Sequence, residues 1–98
     1  MDSPIIHELK TLAPYWDAIE RGDKTFEVRR DDRGFQKGDT LHLAKFDGLH
    51  YVAPPGARFG KTILKRRISY ILTGGQFGIA PGFVVLGLAH IDQMERDE

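Results

Sequence analysis

Cysteine is absent from these 98 residues, which excludes a disulfide framework and a thiolate metal cage. No apolar run approaches the roughly 18–20 residues that cross a bilayer as a helix, and no basic-then-apolar leader opens the chain. A cytoplasmic location without a membrane partner is therefore the expectation. Acidic side chains are missing from a long internal stretch: residues 48–90 hold none, against Arg58, Lys61, Lys65, Arg66 and Arg67. The first 47 residues carry ten acidic and eight basic side chains, and Asp92, Glu95, Asp97 and Glu98 crowd the tail. Net charge is zero, yet a segment with only positive charge can attract phosphates, unless the rest of the chain folds over and neutralises it.

What is present suffices for one small domain spanning 1–98. An apolar fraction of 41% with ten aromatics describes a folded globule with a single core rather than a disordered segment. Ile5 to Leu9 reads as a short first strand. Leu12, Tyr15, Trp16 and Ile19 recur at i, i+3, i+4 and i+7, one face of a helix over Leu12 to Arg21. Thr11 is placed to cap it, Pro14 suits its first turn, Gly22 the position past its end, and Asp17 and Arg21 an i,i+4 pair. Trp16 is its expected core anchor.

From Lys24 to Arg30 the period changes to two, with Phe26 and Val28 on one face and Thr25, Glu27 and Arg29 on the other. Regular alternation sends Lys24 away from Glu27. The two meet only if Lys24 precedes the regular pleat or a bulge re-aims it. A lysine and a carboxylate held together in a partly dry cleft are what binding and acid–base sites exploit, although a solvated strand face with cross-strand ion pairs would gather the same charges.

Thr40 to Phe46 forms the next strand. A long Gly- and Pro-containing connection over 47–61 follows, with a brief extended piece at His50-Tyr51-Val52. Thr62 to Leu72 is a further strand, with Leu64, Ile68, Tyr70 and Leu72 on one parity and Ile63, Lys65, Arg67, Ser69 and Ile71 on the other. The loop Thr73–Gly82 is glycine-rich, and Phe83 to Ile91, apolar on both parities, is a central strand. About five strands with an early helix are best satisfied by an α+β, mainly β architecture, a small partly closed β-barrel.

Gly22-Asp23-Lys24-Thr25-Phe26-Glu27-Val28-Arg29 fits the pattern G-x-K-x-x-E-x-R. On that signature the chain resembles the ASCH domains, relatives of the PUA RNA-binding fold. His7-Glu8-Leu9-Lys10, Tyr15-Trp16, Asp32-Arg33, Gly38-Asp39, Tyr70-Ile71-Leu72 and Gly82-Phe83-Val84-Val85-Leu86 extend the likeness to the small bacterial and phage ASCH-like family catalogued as DUF3850. The resemblance implies a PUA-like barrel with a helix beside a cleft.

It further implies a cleft that binds RNA, a nucleotide or a modified nucleoside. Lys24 and Arg29 would contact phosphate or a base edge, Thr25 would lie beside them, and Glu27 would accept from an exocyclic amine. Lys65 and Arg67, with Arg66 between them, would extend the track. Phe77 or Tyr51 would stack on a base, although for Phe77 packing in the core or its loop is the competing role. The Thr73–Gly82 loop would let backbone N–H groups approach an anion.

A second activity follows from very small bacterial ASCH proteins that are amidohydrolases on N4-acetylcytidine. Lys24 maps onto their lysine and would act as base, with Glu27 as the carboxylate. That group carries threonine at the Glu27 position, and its late glutamate has no counterpart in 48–90. Ribonuclease activity, suggested for some ASCH proteins, has no specific support in these residues. A non-catalytic interaction module is the third class, favoured if Lys24 and Glu27 are exposed and paired only with each other. No cofactor and no metal is expected. His7 and His42 can meet on neighbouring strands, but a satisfied structural role suits each histidine, and Ser3 and Ser69 lack triad context.

Overall fold

The computed structural model describes residues 5–91; Ser3 and the acidic cluster of the tail lie outside them. Strand β1 (Ile6–Leu12) runs straight into helix α1 (Ala13–Glu20), followed by β2 (Phe26–Arg30), β3 (Thr40–Phe46), β4 (Ile63–Thr73) and β5 (Phe83–Ala89). The strands form one mixed sheet in the order β1-β3-β4-β5-β2, parallel between β1 and β3 and antiparallel elsewhere. Strand pairing does not close it into a barrel: β1 and β2 are its two edges. Among the described residues no helix is long and apolar enough to cross a membrane.

The inner face of the sheet and α1 enclose the core, built on Leu9, Trp16, Ile19, Phe35, Leu41, Leu43, Ile68, Val84 and Leu86. Trp16 anchors the helix as expected, and its indole N–H donates to the Leu43 carbonyl at 2.9 Å. Only half of the predicted helix face packs, because Ile19 joins Trp16 in the core while Leu12 and Tyr15 remain exposed. The capping assignment is corrected. Alternation through His7, Leu9 and Thr11 continues to the end of β1, so Thr11 is a buried strand residue whose hydroxyl donates to Leu9, and Leu12 stands at the helix N-cap without a side-chain bond.

Past the helix, Gly22 takes the left-handed conformation (φ 88°). The N–H groups of Gly22 and Asp23 bond the Ile19 and Ala18 carbonyls at 3.1 and 2.9 Å, the paired closure of a Schellman turn. Buried Arg66 donates to Ile19 at the same helix end, where a cation also meets the negative end of the helix dipole. The expected Asp17–Arg21 pair does not form; Arg21 bonds Asp23 and Asp17 bonds Lys45.

Two irregularities shape β4 and the loop after it. Register shifts between Ile68 and Tyr70, so Ser69 is the extra residue of a bulge. The bulge reverses parity: Ile68 is fully buried, Tyr70 points outward, and Ile71 packs on the core instead. The Thr73–Gly82 loop is a structural turn rather than an anion nest, because the Gly74 and Gly75 N–H groups bond the Phe83 and Ile79 carbonyls. A Cβ on Gly74 would lie 2.1 Å from the Ala80 oxygen, so only glycine fits there. Phe77 stands exposed at the loop tip. Of the expected extended piece His50-Tyr51-Val52, Tyr51 bridges to Phe46 and the Val52 N–H bonds the Lys45 carbonyl, while His50 belongs to the bend that closes on Asp47.

A buried polar pair pins the start of the parallel strands. The imidazole of His7 lies 2.8 Å from the Asp39 carboxylate, which also accepts from the N–H groups of Ile5 (3.2 Å) and Gln36 (3.0 Å). His7 therefore does not meet His42, whose register partner is Glu8 on the opposite face. Burial alone would raise the Asp39 pKa. The hydrogen bonds from His7, Ile5 and Gln36 outweigh it, and the net effect is a value below the ordinary 3.8. A carboxylate depressed on folding contributes stability that is full above its unfolded value and lost as pH falls through its folded one. Asp39→Asn is accordingly expected to cost about 1–3 kcal/mol at pH 7. In urea unfolding from pH 7 to pH 2, wild type should lose this increment below 3.8 while the variant shows a shallower acid dependence. Parallel pH profiles would contradict this role.

Candidate functional site

Strand β2 is built inside out. The N–H of Leu88 donates to the Thr25 carbonyl and that of Asp31 donates to Gly82, which sets the alternation of an antiparallel pair with β5. Phe26 and Val28, its apolar side chains, are 44% and 47% exposed, whereas Glu27 is 5% exposed opposite buried Leu86. Amphipathic patterning would have put Phe26 and Val28 in the core. A buried carboxylate is costly unless fully partnered, and two cations from the same signature partner this one.

Lys24 Nζ donates to Glu27 Oε2 at 2.9 Å and to the Phe26 carbonyl at 2.8 Å. It also lies 5.3 Å from the Tyr15 ring centre and 4.8 Å from that of Phe26. Arg29 Nε donates to Glu27 Oε1 at 3.0 Å. Lys24 and Glu27 meet because β2 begins at Phe26; the turn set by Gly22 delivers Lys24 before the pleat starts, the first of the two routes the sequence allows. In this geometry the lysine nitrogen is a donor on both of its polar contacts.

Arg29 does more than pair with Glu27. Its Nη2 crosses to the other edge of the sheet, donating to the Lys10 carbonyl (2.8 Å) and the Thr11 hydroxyl (3.2 Å). Arg33 reaches the same edge at Glu8 (3.3 Å). Since the Thr40 N–H bonds the Ile5 carbonyl, alternation turns Glu8 and Lys10 away from β3 and toward this seam. Side chains therefore bridge β1 and β2, and the unzipped seam between them is the cleft. It consists of two adjoining depressions of about 260 and 290 Å³ that share Tyr15, Glu27 and Val28.

Of the predicted site residues, the fold brings Lys24, Glu27 and Arg29 together here. Thr25 is exposed and lines neither depression. Lys65 and Arg67 are not brought in either. Alternation in β4 sends them to the outer face, while Glu27 is on the inner one; Arg66 points inward to the end of α1. Tyr15, Thr11 and Lys10 complete the cleft and escaped sequence reasoning. Thr11 had a signal in the His7-Leu9-Thr11 alternation, but nothing local announces that β1 will face β2.

If Arg29 holds the seam, Arg29→Ala should destabilise the fold by about 1–3 kcal/mol. It should also accelerate amide hydrogen exchange in β1 while leaving the centre of the sheet protected. Unchanged exchange at Leu9 and Thr11 would show that the seam is held by something else.

The family profile described as "Domain of unknown function (DUF3850)" matches residues 6–88, from the first residue of β1 to the end of β5 but one. A protein of Escherichia phage P2, described as "Uncharacterized 12.9 kDa protein in GpA 3'region", is 47% identical over 38 residues, covering 39% of this chain and 35% of that protein. The chain thus spans about a third of the length of the curated relative it matches. A match that embraces both edges of the seam and the strands between them settles the family, and the chain belongs to DUF3850.

Proposed function

We propose that the seam cleft binds a nucleoside or nucleotide, free, modified or within RNA, by presenting the Glu27 carboxylate to the exocyclic amine of the base. The observation that carries this is the buried carboxylate itself, oriented at the cleft floor by Lys24 and Arg29. Each carboxylate oxygen accepts one recorded bond, and an sp² oxygen has a second lone pair to offer. A carboxylate is the acceptor suited to the N4 amine of cytosine. Tyr15 and Phe26, 52% and 44% exposed at the mouth, are rings on which a base can stack. The resemblance of the signature to ASCH domains supports the same ligand class.

Lys24 and Arg29 act here mainly by holding Glu27, a narrower role than direct contact with phosphate. The burial of Glu27 and its second partner, Arg29, argue against a plain interaction module, which would leave Lys24 and Glu27 exposed and paired only together. Hydrolysis of an N4-acylated cytidine would need the Lys24 nitrogen to accept a proton, and its two donor contacts favour binding over that role.

Calorimetric titration with cytidine, N4-acetylcytidine and uridine tests the proposal, with chromatography of the N4-acetylcytidine mixture after incubation. Cytidine-type ligands should bind about 5- to 100-fold more tightly than uridine, which has a carbonyl in place of the amine. Glu27→Gln, which keeps the shape of the side chain, should erase most of that preference. Equal or absent binding of all three would overturn the proposal, and release of cytidine from N4-acetylcytidine would replace it with hydrolysis.

A further inference from the structure

The outer face of the sheet carries a second feature, which shares Phe26 with the mouth of the cleft. Tyr70, turned outward by the Ser69 bulge, is 64% exposed. Its register partner in β5 is Gly87, and the partner of Gly87 in β2 is Phe26. Three adjacent strands thus present aromatic, glycine, aromatic in one row. With neighbouring strands about 4.8 Å apart, the backbones bearing the two rings are roughly 10 Å apart. A side chain on Gly87 would fill the space between them: its Cβ would already lie 3.0 Å from Ser69 Oγ and 3.5 Å from Tyr70 Cβ. The next row, Val28, Val85 and Leu72, continues the apolar floor.

Charge selects the occupant. Lys65 and Arg67 lie on the same face of β4, N-terminal to the bulge, and Lys65 borders a depression shared with Arg66 and His90. Arg30 stacks on Phe83 at the other end, 4.8 Å from the ring centre. Among the described residues, none that β2, β3, β4 and β5 turn to this face is acidic; on β1, Glu8 shares the face beside His42 and pairs with Lys61. An aromatic slot on a sheet, flanked by Lys65, Arg67 and Arg30, with the nearest carboxylate of the face on β1 and paired with a lysine, fits stacked bases on a phosphate backbone better than an apolar peptide.

We infer that this face is a second binding surface, which takes single-stranded RNA by inserting one base between Phe26 and Tyr70 over Gly87 while Lys65 and Arg67 meet the phosphates. Thr40 and His42, on the same face of the neighbouring strand β3, supply polar partners for ribose hydroxyls. The inference does not rest on recognition by Glu27, although Phe26 of the slot also borders the cleft. It returns Lys65 and Arg67 to nucleic-acid contact, but on the face opposite Glu27.

Fluorescence anisotropy with a labelled oligouridylate tests it, since uracil lacks the amine proposed for recognition in the cleft. Tyr70→Ala should weaken binding about 5- to 100-fold, and Tyr70→Phe, which keeps the stacking ring, should restore it. Lys65→Gln should lower the slope of log affinity against log salt by about 0.7. Tyr70→Ala should leave nucleoside binding in the cleft unchanged. Failure of wild type to bind oligouridylate at low salt would overturn the inference, as would wild-type affinity in Tyr70→Ala or equal affinity for oligodeoxythymidylate. So would sedimentation as a dimer that Tyr70→Ala converts to a monomer, which would make this face a contact between two copies of the chain.

Discussion

Glu27 is the residue around which the molecule is arranged. Its carboxylate sits on the inner face of an edge strand, opposite Leu86 and almost wholly removed from water. Desolvating a charge costs several kcal/mol unless its oxygens are well partnered, and here each oxygen receives a cationic donor at 2.9 or 3.0 Å. The arrangement demands a lysine three residues before the glutamate and an arginine two after it. It also demands a helix that ends early enough to turn Lys24 back toward β2. Gly22 and the Schellman turn meet that last demand.

From this clamp follows the form of the sheet. Arg29 extends past Glu27 to the free carbonyl of Lys10 and the hydroxyl of Thr11, so the two edges are linked by a guanidinium where a closed barrel would have a ladder of backbone bonds. Side-chain closure leaves space that backbone closure would fill. The cleft is that space, and its floor is the same carboxylate that made the closure necessary. The same three residues, Glu27, Lys24 and Arg29, thus close the sheet and line the cleft, so their variants need stability measured alongside binding.

Much of this was legible in the residues. The alternation in 40–46 and the two-sided apolar run from Phe83 predicted β3 and the interior strand β5; the glycine and signature spacing predicted where α1 ends and which three charges converge. What stayed hidden has physical causes. Thr11 looks like a cap because capping is local, but the parallel pairing with β3 draws it into the strand. Phe26 and Val28 look like core because the pattern of β2 cannot reveal that its charged face is the buried one. Tyr70 looks like a neighbour of Ile68 because a bulge is invisible to parity counting. Charge alone groups Lys65 and Arg67 with Lys24 and Arg29, yet the sheet separates them by a face.

A nucleoside held at Glu27 would unite these features: an unzipped seam of the right size for one base, an acceptor already oriented, and aromatic rings at its mouth. The most direct measurement is an NMR titration of the isotope-labelled protein with cytidine, following backbone amides together with the Lys24 and Arg29 side-chain N–H signals and the Glu27 carboxylate carbon. Saturable shifts confined to those groups and to Lys10, Thr11, Tyr15 and Val28 would place the ligand in the seam. Shifts that map elsewhere, or none at millimolar cytidine, would mean that the clamp serves only to close the sheet.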